Sequence, residues 1–432
     1  MIGGQQAVVA LVERLRPKIS RQLTGDVVWN LVSFAVMGIA GLALNLLIAT
    51  FYDASTLGVF NQVYAVYILL SQVAVAGIHL SVLKYAAAEP KAADEILIGA
   101  LLSVVAVASF WAAAGYFASG PIGDLLKSPS VARGLRAVAP GVLFFAINKV
   151  LLALHNGLGR LRSFAVFQAL RFGLIVGLLL AFTVASSPGE QLPLIFTLAE
   201  ACLLIALLAF TTKHHSISFS RRGAVWIRRH LAFGWRALFG SLLADVNTRV
   251  DILILGYFAN DATVGVYSFA ALIAEGFSQL STVFRNVVNP LLAKYRAERT
   301  TQELEQKLRY GIRLTYKYTV PMGLVLVSVY PVIVRLLVGP EYLAGWPAFA
   351  VLMAGITASM GYSAFTMLLN QGGYPGHQSV FFALTFFTNL LLNVLLVPVM
   401  GMLGAAVATG ISFVVSIVYL RVLVQRAMGV AM

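Results

Sequence analysis

Four polar side chains interrupt one apolar stretch of this 432-residue chain: Asp245, Asn247, Arg249 and Asp251, all within Gly234 to Phe258. The stretch is long enough to cross a bilayer as a helix. An ionised group near its middle costs at least about 2.5–3.5 kcal/mol, so such groups persist where they face a partner or a water-filled cavity. The chemistry this pattern allows is the binding of a polar or ionic ligand at membrane depth. Bond-making chemistry has no comparable support. His214, His215 and His230 lie in or beside a basic segment, and there is no HExxH motif, Walker loop or pair of outer carboxylates. The sequence therefore predicts a protein that is not an enzyme.

On a continuous helix, Asp245 and Arg249 share a face at i, i+4. Asn247 and Asp251 share another, about 200° away. The expectation is that Asp245 and Arg249 face a cavity while Asn247 and Asp251 brace a neighbouring helix; the competing reading is a purely structural ion pair. Farther along, Glu275, Gln279, Thr282, Asn286 and Asn289 fall within about 80° of one another on a helix. Arg285 sits at the edge of that stripe, placed to answer Glu275 or Asp245. The alternative is that the stripe only hydrogen-bonds to adjacent helices. In the first half, Asn148, Lys149 and Arg171 are the matching candidates, although Arg171 could equally pair with Glu200 or snorkel to an interface. Lys84, Arg313 and Lys317 lie near span ends, as topology determinants or as ligands, and Lys317 is kept among the cavity candidates. The deep cations Lys149, Arg171, Arg249 and Arg285 are balanced by Glu200, Asp245, Asp251 and Glu275, so a strongly cationic cavity does not follow from sequence.

The elements that must position these residues are membrane helices. Hydrophobic residues make up 59% of the chain and charged residues 11%, against about 25% charged in soluble domains. Apolar runs of spanning length recur near 27–50, 59–84, 96–118, 137–156, 163–186 and 191–212, then near 234–258, 264–290, 311–337, 346–370, 378–398 and 401–424. With the N-terminus inside, twenty-three Lys and Arg fall on the inner side, against Lys127, Arg133, Arg136 and Arg335 outside, as the positive-inside rule requires. The +14 formal charge thus belongs to loops at a membrane and does not indicate nucleic acid. Cys202 is the single cysteine, so no disulfide framework is available. No cleavable signal is expected, and residues 1–26 read as a basic cytoplasmic arm.

The two sets of spans echo each other. Phe51, Thr56, Gly58 and Val59 align at one offset with Phe258, Thr263, Gly265 and Val266, and Ser71-Gln72 with Ser278-Gln279. A second echo joins Asn156, Gly159 and Phe167 to Asn370, Gly373 and Phe381. The pattern predicts two homologous six-helix lobes, 27–212 and 234–432, of parallel topology and joined by a basic linker, 213–233. Repeats of this kind place a transport site at the interface between halves.

The run Asp251-Ile-Leu-Ile-Leu-Gly256, then Val264-Gly265-Val266-Tyr267 and Asn289-Pro290, resembles the start of the second half of oligosaccharide flippases (Wzx-type) of the multidrug/oligosaccharidyl-lipid/polysaccharide exporter superfamily. Asn389 to Pro398, with Gly401-Met-Leu-Gly404-Ala-Ala406, is similar to that family's last two helices. One departure is Thr50, where many relatives carry Arg. The resemblance implies an all-α bundle of two lobes around a cavity, moving an undecaprenyl-pyrophosphate-linked oligosaccharide between leaflets of the bacterial cytoplasmic membrane by alternating access, with both termini cytoplasmic. Cavity cations would bind the pyrophosphate, and amides and aromatic faces would suit sugars. The implied partners are the glycan lipid, membrane lipids and polysaccharide polymerase machinery. No bound cofactor is expected, and coupling to a proton or sodium gradient is left open by the buried acids. The alternatives are a drug or cation antiporter of the same superfamily and a membrane scaffold without transport.

Overall fold

A chain crossing hydrocarbon must satisfy its own backbone, and for apolar runs of this length the helix is the available solution. The computed structural model describes residues 36–215, 221–298 and 301–432; the side chains of 221–224, 239–241, 244, 245, 282–298, 301, 303, 304 and 307 lie outside the description, as does the expected arm 1–26. The first lobe comprises α1 (Val36–Phe51), α2 (Ala54–Val75), α3 (Ile78–Ala88), α4 (Ala93–Leu125), α5 (Pro129–Gly157), α6 (Leu161–Val184) and α7 (Leu194–Thr212). The second comprises α8 (Arg221–Asn247), α9 (Val250–Phe258), α10 (Asp261–Glu298), α11 (Thr301–Leu337), α12 (Trp346–Ser363), α13 (Leu368–Gln371), α14 (Pro375–Met400) and α15 (Met402–Met428). Among the described residues, nine helical stretches are long and apolar enough to cross a membrane.

Helix starts follow local chemistry. Asp53 caps α2 by accepting the Thr56 amide at 2.8 Å, and hydrogen bonding from Thr56 holds its carboxyl below the usual range. Asn260 does the same for Thr263 at the start of α10, at 2.8 Å. Ser128 caps α5 ahead of Pro129 at the first helical position.

Two predicted continuous spans are broken. The 59–84 run divides at Ala76-Gly77, both left-handed. The 234–258 run divides at Thr248-Arg249, so α8 and α9 are separate. The segment expected as linker is in large part helix, because α8 begins at Arg221.

The lobes touch at two ends of the bundle. At the α1–α2 end, α2 crosses α10. A Cβ on Gly58 would lie 1.8 Å from the Asp261 carbonyl oxygen, and one on Gly265 1.8 Å from that of Ala54, so both positions require glycine. Asp261 fastens the crossing by accepting Gln62 Nε2 and Ser128 Oγ, each at 2.7 Å. Thr50, exposed rather than cavity-lining, donates to the Leu337 carbonyl at 3.0 Å and also ties the lobes.

At the opposite end, the first half of α8 docks on α3 and α4. Backbone approaches backbone again: Cβ atoms on Gly77 and Gly234 would stand 2.4 Å and 2.3 Å from the Gly234 and Ala76 carbonyl oxygens. Trp226 meets Tyr85 edge-on at 5.3 Å, and Lys84 lies over Phe233. His230 is fully buried. Its Nε2 bonds the Ile96 carbonyl at 3.0 Å, so that nitrogen carries the proton and Nδ1 accepts Ser81 Oγ at 2.8 Å. Burial lowers this imidazole to about 4.

One apolar core runs through both lobes from Leu44 to Ala406, and a smaller one joins α11, α14 and α15 around Ile312, Phe381 and Val424.

Candidate functional site

Between these two contacts the lobes flank a cavity of about 650 Å³. Its first-lobe wall is organised by Glu200 on α7, 1% exposed. One carboxylate oxygen takes Arg171 Nε from α6; the other takes Asn148 Nδ2 from α5 at 2.8 Å, and Asn148 also reaches the Glu200 carbonyl at 2.9 Å. A buried charge is tolerable only with such partners. The Arg171 guanidinium lies 4.5 Å from the Phe145 ring centre, which holds its plane at the cavity wall. Lys149, one residue on from Asn148, donates to Gln72 Oε1 at 2.7 Å.

The second-lobe wall is organised by the α8–α9 break. Arg249 stands at that break as the residue before α9. Its Nη1 pairs with Glu275 on α10 at 3.5 Å, and its guanidinium lies 5.3 Å from the ring centre of Tyr64 on α2. One side chain thus contacts both lobes across the cavity. Asn247 and Asp251, expected to brace a neighbouring helix away from the cavity, also line it; the Asp251 carboxylate accepts Tyr267 Oη from α10 at 2.5 Å and the Ile252 amide at 2.9 Å. Asn389 on α14 donates to Asn247 at 3.3 Å and receives Asn393 at 2.9 Å.

Of the sequence candidates, Asn148, Lys149, Arg171, Arg249, Glu275 and Gln279 all line this cavity. The side chains of Asp245, Arg285 and Asn286 lie outside the description, and with them Thr282 and Asn289. The i, i+4 pairing expected of Asp245 and Arg249 assumed an unbroken helix, which the break at Thr248-Arg249 removes. Lys317 does not line the cavity. Thr315 and Thr319 are buried, so the residue between them points the opposite way, exposed, with its ammonium over Tyr318.

Sequence reasoning missed Gln72, Tyr64, Asn61 and His79, which also line the cavity. The repeat had already paired Gln72 with Gln279, and that was the available signal. The lining carboxylates Glu200, Asp251 and Glu275 each have a partner, as do the cations Lys149, Arg171 and Arg249. What remains between the paired charges is a surface of amides, Asn45, Asn61, Asn156, Gln168 and Gln279 among them, interleaved with Phe145, Phe164 and Phe172.

Two helical lobes around a central cavity are a transporter-type fold. Solved structures share it. The lipid II flippase MurJ in its inward closed conformation matches with TM-score 0.77 at 15% identity, over 92% of this chain and 87% of that one. An inward-facing multidrug resistance MATE family transporter of the MOP superfamily matches with TM-score 0.72 at 14% identity, over 90% and 94%. Residues 76–347 match the family described as polysaccharide biosynthesis protein, and the chain belongs to that family. The probable flippase AglR of Haloferax volcanii is 26% identical over 201 residues, 45% of this chain and 41% of that one. The chain spans half or less of the length of the curated relatives it matches.

Proposed function

We propose that this protein is a flippase that moves a polyprenyl-pyrophosphate-linked oligosaccharide, of the undecaprenyl type, from the inner to the outer leaflet of a cytoplasmic membrane. The observation that carries the proposal is the cavity itself, which lies between the lobes, has amides and aromatic rings in its lining, and is set with three cations. Amides and ring faces suit sugar hydroxyls and pyranose faces. Arg171 and Arg249 each keep guanidinium donors beyond those spent on their carboxylates, and a pyrophosphate accepts such donors. Membership of the polysaccharide biosynthesis family and likeness to a protein named a probable flippase support the reading.

Alternating access is the mechanism we assign. The α2–α10 crossing, placed outward by the charge asymmetry of the loops, is the outer closure, and α8 on α3–α4 is the inner one. Substrate entry requires the inner contact to open, and release requires the outer one to open. Both termini are then cytoplasmic, and a polymerase of the same glycan would receive the product. We assign coupling to a proton or sodium gradient to Glu275, whose partner Arg249 also lies against Tyr64 of the other lobe, a contact that lobe separation breaks. Glu275→Gln protein flipping at the normal rate across an imposed gradient contradicts that assignment.

A drug antiporter requires an acid open to a cation, whereas each described cavity carboxylate is engaged. A strain lacking this protein should accumulate the lipid-linked glycan in the inner leaflet. An unchanged glycan lipid pool together with drug-stimulated proton flux in vesicles would favour the antiporter, and neither effect would favour a scaffold.

A further inference from the structure

Outside the cavity, α11 carries a continuous exposed strip. Arg309, Arg313, Lys317, Val320 and Leu324 fall within about 80° of one another around the helix axis, and all five are exposed. The opposite face is buried through Leu308, Ile312, Thr315 and Thr319. None of the three cations lines the cavity. The strip therefore changes from basic to apolar along one line on the outside of the second lobe.

Its depth follows from the other end of the helix. α11 ends at the outer closure, where the Leu337 carbonyl accepts Thr50 Oγ1 at 3.0 Å. Lys317 stands twenty residues earlier, about 30 Å along the helix, which is the thickness of a hydrocarbon core. Its ammonium is thus level with the phosphates of the inner leaflet, with Arg313 and Arg309 one and two turns farther toward the cytoplasm. Val320 and Leu324, 40% and 66% exposed, lie on the hydrocarbon side of that level and face lipid chains.

A cation near a span end ordinarily snorkels to the head groups and sets topology. Charge balance singles these out. Arg309 pairs with Glu305 at 3.7 Å, whereas no ion pair joins Arg313 or Lys317 to a described residue. Lys317 lies instead over the Tyr318 ring at 5.9 Å. Two uncompensated cations one turn apart, about 6 Å along the axis, stand at phosphate level beside an apolar track. A phosphodiester lipid brings a single negative charge to them. A pyrophosphate brings more than one on adjoining centres and so engages both side chains, Arg313 as a fork and Lys317 as a point charge.

We infer that Arg313, Lys317 and Val320 form a docking strip, outside the cavity, for the pyrophosphate head and first prenyl units of a polyprenyl lipid in the inner leaflet. The identity of the lipid rests on the proposed function. The test uses the full-length protein with p-benzoylphenylalanine in place of Val320, or of Met322, which is also 40% exposed but turned about 160° away. Each is reconstituted in phosphatidylcholine liposomes holding radiolabelled undecaprenyl pyrophosphate and irradiated. Position 320 should take several-fold more label than position 322. Arg313→Gln and Lys317→Gln should each lower labelling at 320 about fivefold, the effect of one interfacial cation on an anionic lipid, at unchanged melting temperature, and Lys317→Arg should retain it. Equal labelling at 320 and 322, or undiminished labelling in the double Gln variant, overturns the strip. Loss of the label to excess phosphatidylglycerol also overturns it and assigns the cations to phospholipid heads. Labelling at 320 by protein that flips no glycan lipid supports the strip and contradicts the proposed function, whereas flipping without labelling overturns the strip alone.

Discussion

Gly58 and Gly265 face each other's helix at the α2–α10 crossing, each with a carbonyl oxygen 1.8 Å from where its Cβ would be. They are also the pair that the internal repeat aligns. The caps beside them, Asp53 to Thr56 and Asn260 to Thr263, are equivalent too. Positions equivalent in the two halves of the sequence therefore meet each other at this crossing.

Gly58→Ala and Gly265→Ala should each hold the lobes apart at this end, because the obstructing atoms are backbone and cannot swing aside. In a Cys202→Ser background, a cysteine placed at Ala54, which is 7% exposed, should react slowly with a membrane-impermeant thiol reagent. In Gly58→Ala protein it should react several-fold faster, at normal protein abundance.

Asp261→Ala removes acceptors for Gln62 and Ser128 together. Two lost hydrogen bonds to a charged group amount to about 3 kcal/mol or more. The same thiol assay should show faster labelling at position 54, with Asp261→Asn intermediate because its amide keeps one acceptor oxygen.

Glu200→Ala leaves Arg171 buried without its counter-charge and Asn148 without its acceptor side chain. Breaking a buried pair in this way costs about 3–5 kcal/mol, so the melting temperature should fall by several degrees. The double variant Glu200→Ala, Arg171→Met should recover much of that loss, measured as a double-mutant cycle.

His230 is neutral in the fold, with its imidazole lowered to about 4 by burial, while in the unfolded chain it titrates near the ordinary 6.5. The unfolded state thus binds the proton first. The stability that neutral His230 contributes is intact above about 6.5 and is lost as pH falls toward about 4, by up to about 3 kcal/mol. A melting-temperature series between pH 7.5 and 4.5 should show that fall in wild type and a shallower one in His230→Gln.

Much of this fold was legible in the sequence, and the part that was not has definite causes. Among the described residues, the predicted spans fall largely on helix, since apolar length alone specifies a membrane crossing. The breaks were hidden: Thr248-Arg249 contains neither Gly nor Pro, and left-handed Ala76 has no side-chain signature. At the breaks Gly77 meets Gly234 and Arg249 meets Tyr64 across the lobes, contacts that local propensity does not encode. Mid-span charge pointed to Lys149, Arg171, Arg249 and Glu275, which line the cavity. Uncharged Asn61 and Gln72 did not stand out, because an amide in a membrane helix serves packing as readily as binding. Lys317 misled because a cation near a span end reads the same whichever way its helix face turns.

The central claim is tested most directly in proteoliposomes holding a fluorescent polyprenyl-pyrophosphate oligosaccharide, by following how fast its head group becomes accessible at the opposite leaflet. Wild-type protein should expose it well above the protein-free rate, and Arg249→Gln, which gives up the contact joining Glu275 to Tyr64 across the cavity, should slow it at least about tenfold. Wild-type exposure no faster than in protein-free liposomes would contradict the account.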